Sequence, residues 1–102
     1  MKVEILFVPG CPNYRAAMEQ VHKVLASESL QAEFARVPVS SAAQAELLRF
    51  PGSPTIRVNG EDVEPGAVAH FGLSCRLYPN QGGIPSEDAL RAAILRAKEK
   101  TA

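Results

Sequence analysis

The spacing of apolar residues along the chain changes between two periods, which predicts strands and helices in turn. The run Val3 to Val8 is almost wholly apolar and is stopped by Pro9-Gly10, which is typical of a short buried strand. From about Pro12 to about Ser29 the apolar residues recur every three or four positions, so they form one face of a helix. This face consists of Tyr14, Ala17, Met18, Val21 and Val24.

The next two elements are predicted by a proline and a serine. Phe34 to Val39 has the composition of a strand, and Pro38 lacks the N–H that an inner strand needs, so we expect an edge strand. Ser41-Ala42-Ala43-Gln44 has the spacing of a capping box, in which the serine caps a helix and the glutamine reaches back. We expect this short helix, which carries Leu47, Leu48 and Phe50, to end at Pro51-Gly52.

The segment Thr55 to Val63 contains the clearest turn signal in the chain. Its Asn59-Gly60 pair is a preferred two-residue hairpin turn, because both residues tolerate a positive φ. This turn places Ile56 opposite Val63 and Arg57 opposite Asp62. We therefore expect an apolar pair on one face of the hairpin and a pair of opposite charges on the other.

The last helix is predicted by its charges. Ser86 caps it, Glu87 and Asp88 suit its positive end, and Lys98 and Lys100 suit its negative end. Its apolar face consists of Leu90, Ala93, Ile94 and Ala97. The element order is β-α-β-α-β-β-α, and its βαβ unit implies two parallel strands. We predict a single α/β domain over residues 1–102 with a four-stranded mixed sheet.

Composition excludes several classes of function. The chain has 102 residues, 46% of them hydrophobic, and its formal net charge is zero, whereas proteins that bind nucleic acid or anionic membranes by bulk charge are basic. The first apolar run is shorter than the roughly 7–15 residues of an export signal. We therefore expect a cytoplasmic protein with reduced thiols, with no nucleic acid or membrane partner. Zinc-finger spacings and a glycine-rich phosphate loop are missing, so no cofactor is predicted.

Cys11 is the first candidate for chemistry. It lies in Gly10-Cys11-Pro12-Asn13-Tyr14, at the junction of the first strand and the first helix. Unpaired N–H groups and the helix dipole at such a junction favour the thiolate, which is the form that reacts. The alternative is that Cys11 is a small buried residue at a turn.

These residues resemble the thioredoxin superfamily, and glutaredoxins most closely. Cys11-Pro12-Asn13-Tyr14 matches the glutaredoxin C-P-x-C motif, except that Tyr14 stands where the second cysteine would be. Gly52-Ser53-Pro54-Thr55 resembles the loop whose cis-proline faces the active cysteine, and a hairpin follows it as in glutaredoxins. The resemblance implies a thioredoxin-like three-layer fold, a cis Ser53–Pro54 bond and a nucleophilic Cys11. Residues expected to bind the substrate are Pro12, Tyr14, Ser53, Pro54 and Arg76.

The chain is also similar to a group of small bacterial thioredoxin-like proteins, some of which carry an alkylmercury-lyase label. They share Gly-Cys-Pro-Asn-Tyr, Gly-Ser-Pro-Thr-Ile and Phe-Gly-Leu-Ser-Cys-Arg-Leu-Tyr with this sequence. In glutaredoxin-like folds the segment after the hairpin runs beside the active cysteine. The resemblance therefore implies that Cys75 and Arg76, within the long connection Pro65 to Pro85, face Cys11. The alternative is that Cys75 is a structural residue tucked under Leu73 and Leu77.

Three hypotheses for function follow. In the first, Cys11 attacks a protein or low-molecular-weight disulfide, and Cys75 resolves the mixed disulfide. In the second, Cys11 and Cys75 are two thiolate ligands for a soft metal ion such as mercury. In the third, the domain is a non-catalytic interaction module. The remaining candidates are weaker: Arg15 and His22 suit exposed helix positions, and His70 suits an unliganded loop histidine.

Overall fold

The computed structural model describes residues 1–65, 71–80 and 82–101. Over these ranges the protein is an α/β structure with four strands and three helices, in the order that the sequence predicts. Most element bounds lie within about two residues of the predicted ones. The elements are β1 (Lys2–Phe7), α1 (Tyr14–Ser27), β2 (Glu33–Pro38), α2 (Ala42–Leu47), β3 (Thr55–Val58), β4 (Glu61–Asp62) and α3 (Glu87–Thr101).

The strands form one mixed sheet in the order β2-β1-β3-β4. β1 runs parallel to β2, with Val3 paired to Phe34, and antiparallel to β3, with Ile5 paired to Ile56. β2 is an edge strand, as its proline predicts. β1 is therefore hydrogen-bonded on both sides, and its carboxyl end, where the Cys11 motif follows, leaves the sheet from a central position.

Apolar side chains of β1 pack on both faces of the sheet. Val3 and Ile5 pack into a core with apolar residues of α1 and α3. Leu6 points to the opposite face and packs with Ala45 of α2 and with Phe50. Period-two alternation along one strand thus separates α1 and α3 from α2. The predicted apolar faces of α1 and α3 are confirmed, and their fully buried members are Ala17, Val21, Val24, Leu90 and Ile94.

The capping box of α2 is confirmed with a small shift. The hydroxyl of Ser41 accepts a hydrogen bond from the Gln44 N–H at 3.1 Å. The Gln44 side chain reaches back to the N–H of Ser40, at 2.8 Å, instead of the N–H of Ser41. The cap fixes where α2 starts, and the helix ends at Leu47 before Arg49 adopts a φ of +53°.

The hairpin has the predicted register but not the predicted charge pairing. Asn59 and Gly60 have positive φ, and Arg57 lies opposite Asp62. The Arg57 guanidinium, however, donates to the carbonyls of Leu48 and Arg49 at 2.8 and 3.0 Å. It therefore ties the hairpin to the end of α2, and it leaves the Asp62 carboxylate for another partner.

The described helices also bear on the relation of the chain to membranes. α1 and α3 have 14 and 15 residues, whereas a membrane-spanning helix needs about 20. Within residues 1–65, 71–80 and 82–101, we find no helix with the length and apolar character to cross a membrane.

Candidate functional site

An extended segment, residues 71–78, runs beside the loop that precedes β3. Gly72 donates to the carbonyl of Phe50 at 3.1 Å. Further along, the Ser53 N–H donates to the Ser74 carbonyl at 2.9 Å, and the Arg76 N–H donates to the Ser53 carbonyl at 3.0 Å. These last two bonds form a parallel β-bridge between Ser53 and Cys75. The Cys75 backbone therefore lies one strand spacing, about 4.8 Å, from that of Ser53.

Ser53 also contacts the turn that carries Cys11. Its hydroxyl, which is buried, accepts a hydrogen bond from the Val8 N–H at 2.9 Å. The carbonyl of Val8 in turn accepts from the Cys11 N–H at 2.9 Å. The Ser53–Pro54 peptide bond is cis. The Cys11 turn, the Ser53-Pro54 loop and the Cys75 segment are thus successive neighbours joined by hydrogen bonds.

Both cysteines are free thiols that solvent reaches. Cys11 is partly exposed, and Cys75 is exposed. The alternative in which Leu73 and Leu77 cover Cys75 is wrong, because those two side chains are themselves 40% and 70% exposed. Two other side chains of the segment, Arg76 and Tyr78, point inward and hold it in place.

Helix α1 begins later than the sequence predicts. Its N-cap is Asn13, so Cys11 lies two residues before the cap and not directly before the start of the helix. The helix dipole acts mainly within its first turn, so its effect on the Cys11 thiol is weaker than the sequence suggests. The side chain of Asn13 instead packs against Gly83, where any Cβ would collide with it. The segment before α3 therefore covers one side of the Cys11 turn.

The rings of Tyr14 and Phe7 form an aromatic pair. The Tyr14 ring lies 4.3 Å from the Phe7 ring, measured between centroids. The Arg36 guanidinium, from the edge strand, lies over both rings at 5.3 Å from Tyr14 and 5.6 Å from Phe7. Pro12, which lies between Cys11 and Tyr14 in sequence, is exposed. No local pattern in the sequence points to Arg36, because the contact joins β2 to α1.

Arg76 does not lie free beside the thiols. Its guanidinium donates to the Asp62 carboxylate at 2.7 Å, to the Glu64 carbonyl at 2.7 Å and to the Thr55 hydroxyl at 3.2 Å. The Arg76 side chain is 9% exposed and the Asp62 side chain 17%. A buried charge needs such compensation. Among the residues expected to bind substrate, Arg76 therefore takes an internal, structural position.

Tyr78 is the residue that sequence reasoning missed. Its side chain is 1% exposed, and its hydroxyl donates to the Pro54 carbonyl at 2.6 Å. The Arg76 guanidinium lies over its ring, 4.4 Å from the centroid. Burial raises the pKa of the Tyr78 phenol well above its usual value, the Arg76 charge opposes that rise, and the Asp62 and Glu64 charges add to it. A signal was present in the inward alternation of positions 76 and 78 around position 77.

The weaker candidates contribute nothing to this cluster. His22 is exposed and stacks on Phe34, with ring centroids 4.5 Å apart, and Arg15 is exposed on the same helix. His70 lies outside the described residues. Within the described part of the chain, no three side chains of His, Cys, Asp or Glu are grouped so that they could hold a metal ion.

Comparison with known proteins adds no further evidence on the site. No family model matches the chain, and searches against curated proteins and solved structures also find no match. The interpretation of the site therefore depends on the geometry described above.

The close approach of Gly52 to Arg76 makes a graded stability test. Gly52 has a φ of +148°, and a Cβ there would lie 3.0 Å from the Arg76 Cβ. Gly60 also has a positive φ but faces open space, and Gly72 has neither constraint. We expect Gly52→Ala to lower the free energy of unfolding by about 3 kcal/mol, and Gly60→Ala by about 1 kcal/mol. Gly72→Ala should change it by less than about 0.5 kcal/mol. Urea denaturation measures all three, and equal losses at positions 52 and 60 would contradict the close approach.

The buried phenol of Tyr78 predicts a loss of stability in alkali. Because its folded pKa is raised, its contribution is fully present below the unfolded pKa of about 10 and declines as pH rises above it. In the unfolded chain the phenol ionises, whereas in the folded chain it stays protonated. Urea midpoints between about pH 9 and pH 11 should fall less steeply for Tyr78→Phe than for the wild type. Parallel slopes for the two proteins would show that Tyr78 ionises normally when folded.

Proposed function

We propose that this chain is a thioredoxin-fold thiol redox protein in which Cys11 is the nucleophile and Cys75 the resolving thiol. The fold assignment is supported by the element order, by the sheet order β2-β1-β3-β4 and by the Cys11 motif after β1. The single observation that carries the redox assignment is the β-bridge between Ser53 and Cys75. It brings the second thiol of the chain to the loop that contacts the Cys11 turn.

The direction of the side chains supports the same assignment. Residues opposite each other in neighbouring strands place their side chains on the same face of the sheet. The Ser53 side chain points toward the N–H of Val8, which belongs to the turn that carries Cys11. The Cys75 side chain leaves its backbone on this face. Its exposure gives the thiol the freedom to turn toward Cys11.

The proposed reaction is a thiol–disulfide exchange in two steps. In the first step, the Cys11 thiolate attacks one sulfur of a substrate disulfide, forms a mixed disulfide and releases the other half as a thiolate. In the second step, the Cys75 thiolate attacks the Cys11 sulfur and releases the remaining half. The substrate gains two electrons, and the protein loses two and keeps a Cys11–Cys75 disulfide. An external thiol restores the reduced protein by the reverse exchange.

The substrate is a protein or a low-molecular-weight disulfide. In this scheme Pro12, Tyr14, Ser53 and Pro54 form the surface around the attacked sulfur. Arg36 adds a positive charge beside Tyr14, 5.3 Å from its ring. Binding of a soft metal by Cys11 and Cys75 remains the alternative, since two thiolates on neighbouring loops suit an ion of low coordination number.

Mild oxidation with glutathione disulfide tests the proposal. We expect the wild type to lose two hydrogens without gaining glutathione, and digestion to yield a peptide pair that links Cys11 to Cys75. Cys75→Ser should stop at a glutathione adduct on Cys11, because the second step needs the Cys75 thiol. Cys11→Ser should form much less adduct, because the reactive thiol is missing. Mass spectrometry of the intact and digested proteins measures each product.

Three other outcomes would contradict the assignment. If the wild type stops at an adduct on Cys11 and leaves Cys75 free, the protein uses one thiol and Cys75 is structural. If neither thiol reacts but the reduced protein binds one mercuric ion, and either serine variant loses it, the metal-binding alternative is correct. If both thiols are inert in both assays, the domain is a non-catalytic module.

A further inference from the structure

The segment that carries Cys75 is held by the two residues that follow on its inner side. Arg76 and Tyr78 point inward and are nearly fully buried, whereas Cys75 and Leu77 point outward and are exposed. Because the inward side chains are held by their contacts, they also determine where the outward side chains lie. The location of the Cys75 thiol therefore depends on what Arg76 and Tyr78 bind.

Both inward side chains belong to one chain of contacts. The Asp62 carboxylate binds the Arg76 guanidinium, which lies over the Tyr78 ring, 4.4 Å from its centroid. The Tyr78 hydroxyl then donates to the Pro54 carbonyl at 2.6 Å. The backbone of the segment binds Ser53, the residue before Pro54. The two hydrogen bonds involve Ser74 and Arg76, which flank Cys75. The segment is thus fixed to the Ser53-Pro54 loop at two successive residues, once by backbone and once by the phenol.

We propose that Tyr78 is a positioning residue for the resolving step: its hydrogen bond to the Pro54 carbonyl holds Cys75 within reach of Cys11. This inference rests on the proposed function. Tyr78 touches neither thiol, and it acts by restricting the segment on the C-terminal side of Cys75. Without its hydroxyl, this side retains the Arg76 contacts and the Tyr78 N–H bond to the Gly82 carbonyl.

The Tyr78 hydroxyl should act mainly on the second step of the reaction. Attack on glutathione disulfide uses the Cys11 thiol and not the Cys75 thiol. Because the Tyr78 hydroxyl binds Pro54, which borders the attacked sulfur in the proposed scheme, its removal should change this rate less than it changes the second step. The second step converts the Cys11–glutathione disulfide and the Cys75 thiolate into the Cys11–Cys75 disulfide and a glutathione thiolate. This step depends on the effective concentration of Cys75 at Cys11. A hydrogen bond of ordinary net strength predicts a fall of about three- to tenfold in that concentration when the hydroxyl is removed.

The experiment compares the wild type with Tyr78→Phe, which keeps the ring and removes only the hydroxyl. Each protein is equilibrated in a series of glutathione redox buffers, and mass spectrometry gives the fraction with the Cys11–Cys75 disulfide. The matched control is Ile94→Val, a conservative change of a buried residue in α3, whose core cluster includes no residue of 50–54 or 71–78. The rate of the first step is measured separately, in Cys75→Ser with and without Tyr78→Phe.

We expect the effective concentration of Cys75 at Cys11 to be about three- to tenfold lower in Tyr78→Phe than in the wild type and Ile94→Val. Tyr78→Phe should therefore need a more oxidising glutathione buffer to form the same fraction of disulfide. Between the two Cys75→Ser proteins, the rate of the first step should change by a smaller factor than the effective concentration does. If Tyr78→Phe proves unfolded by circular dichroism, Arg76→Lys replaces it, because the shorter cation weakens the same chain of contacts. It should lower the effective concentration in the same direction.

Three results would overturn the inference. Equal effective concentrations in the wild type and Tyr78→Phe would show that the hydroxyl does not position Cys75. A similar fall in Ile94→Val would show that the effect reflects stability alone. Failure of the wild type to form the Cys11–Cys75 disulfide in any buffer would overturn the proposed function as well, and only that result does so.

Discussion

The structure around the two thiols depends on the compensation of one buried charge. The Arg76 guanidinium lies at the end of the sheet, where the Asp62 carboxylate, the Glu64 carbonyl and the Thr55 hydroxyl all accept from it. Removing a single partner of such a pair leaves an unpaired charge, which costs about 3–5 kcal/mol in buried sites. The guanidinium thereby joins the hairpin, the start of β3 and the segment after the hairpin. Its three partners lie 21, 14 and 12 residues from Arg76 in sequence, so these contacts form only when the chain folds.

The position of Arg76 determines the positions of the residues around it. Gly52 leaves room for the Arg76 backbone, which a Cβ at position 52 would meet at 3.1 Å. Tyr78, on the same side of the segment, gains a flat cation against its ring and the Pro54 carbonyl for its hydroxyl. Cys75 and Leu77 then face solvent. The exposure of the Cys75 thiol is thus a consequence of burying the residues beside it.

Most of the fold could be predicted from the sequence because local rules govern it. Pro38 marked an edge strand, Ser41 a helix start and Asn59-Gly60 a hairpin, and each follows from one residue's own hydrogen-bonding or backbone preference. The site was predicted less well. Opposite positions suggested that Arg57 would bind Asp62, but the two charges each found a partner outside the hairpin. The alternation of positions 76 to 78 could have indicated that Tyr78 turns inward. Its partner, the Pro54 carbonyl, lies 24 residues away in sequence, and no local pattern reveals it.

The distance along the chain between the two cysteines links redox state to folding. Cys11 follows the first strand, and Cys75 follows β4, so a bond between them would close a loop that contains β2, β3 and β4. Closing a loop of this length removes much of the entropy of the unfolded chain, and the usual estimate is about 4 kcal/mol in favour of the folded state. The reduced and oxidised proteins would then differ in their resistance to heat and proteases. Proteases in a cell would degrade the two forms at different rates, so the lifetime of the protein would depend on its thiol state.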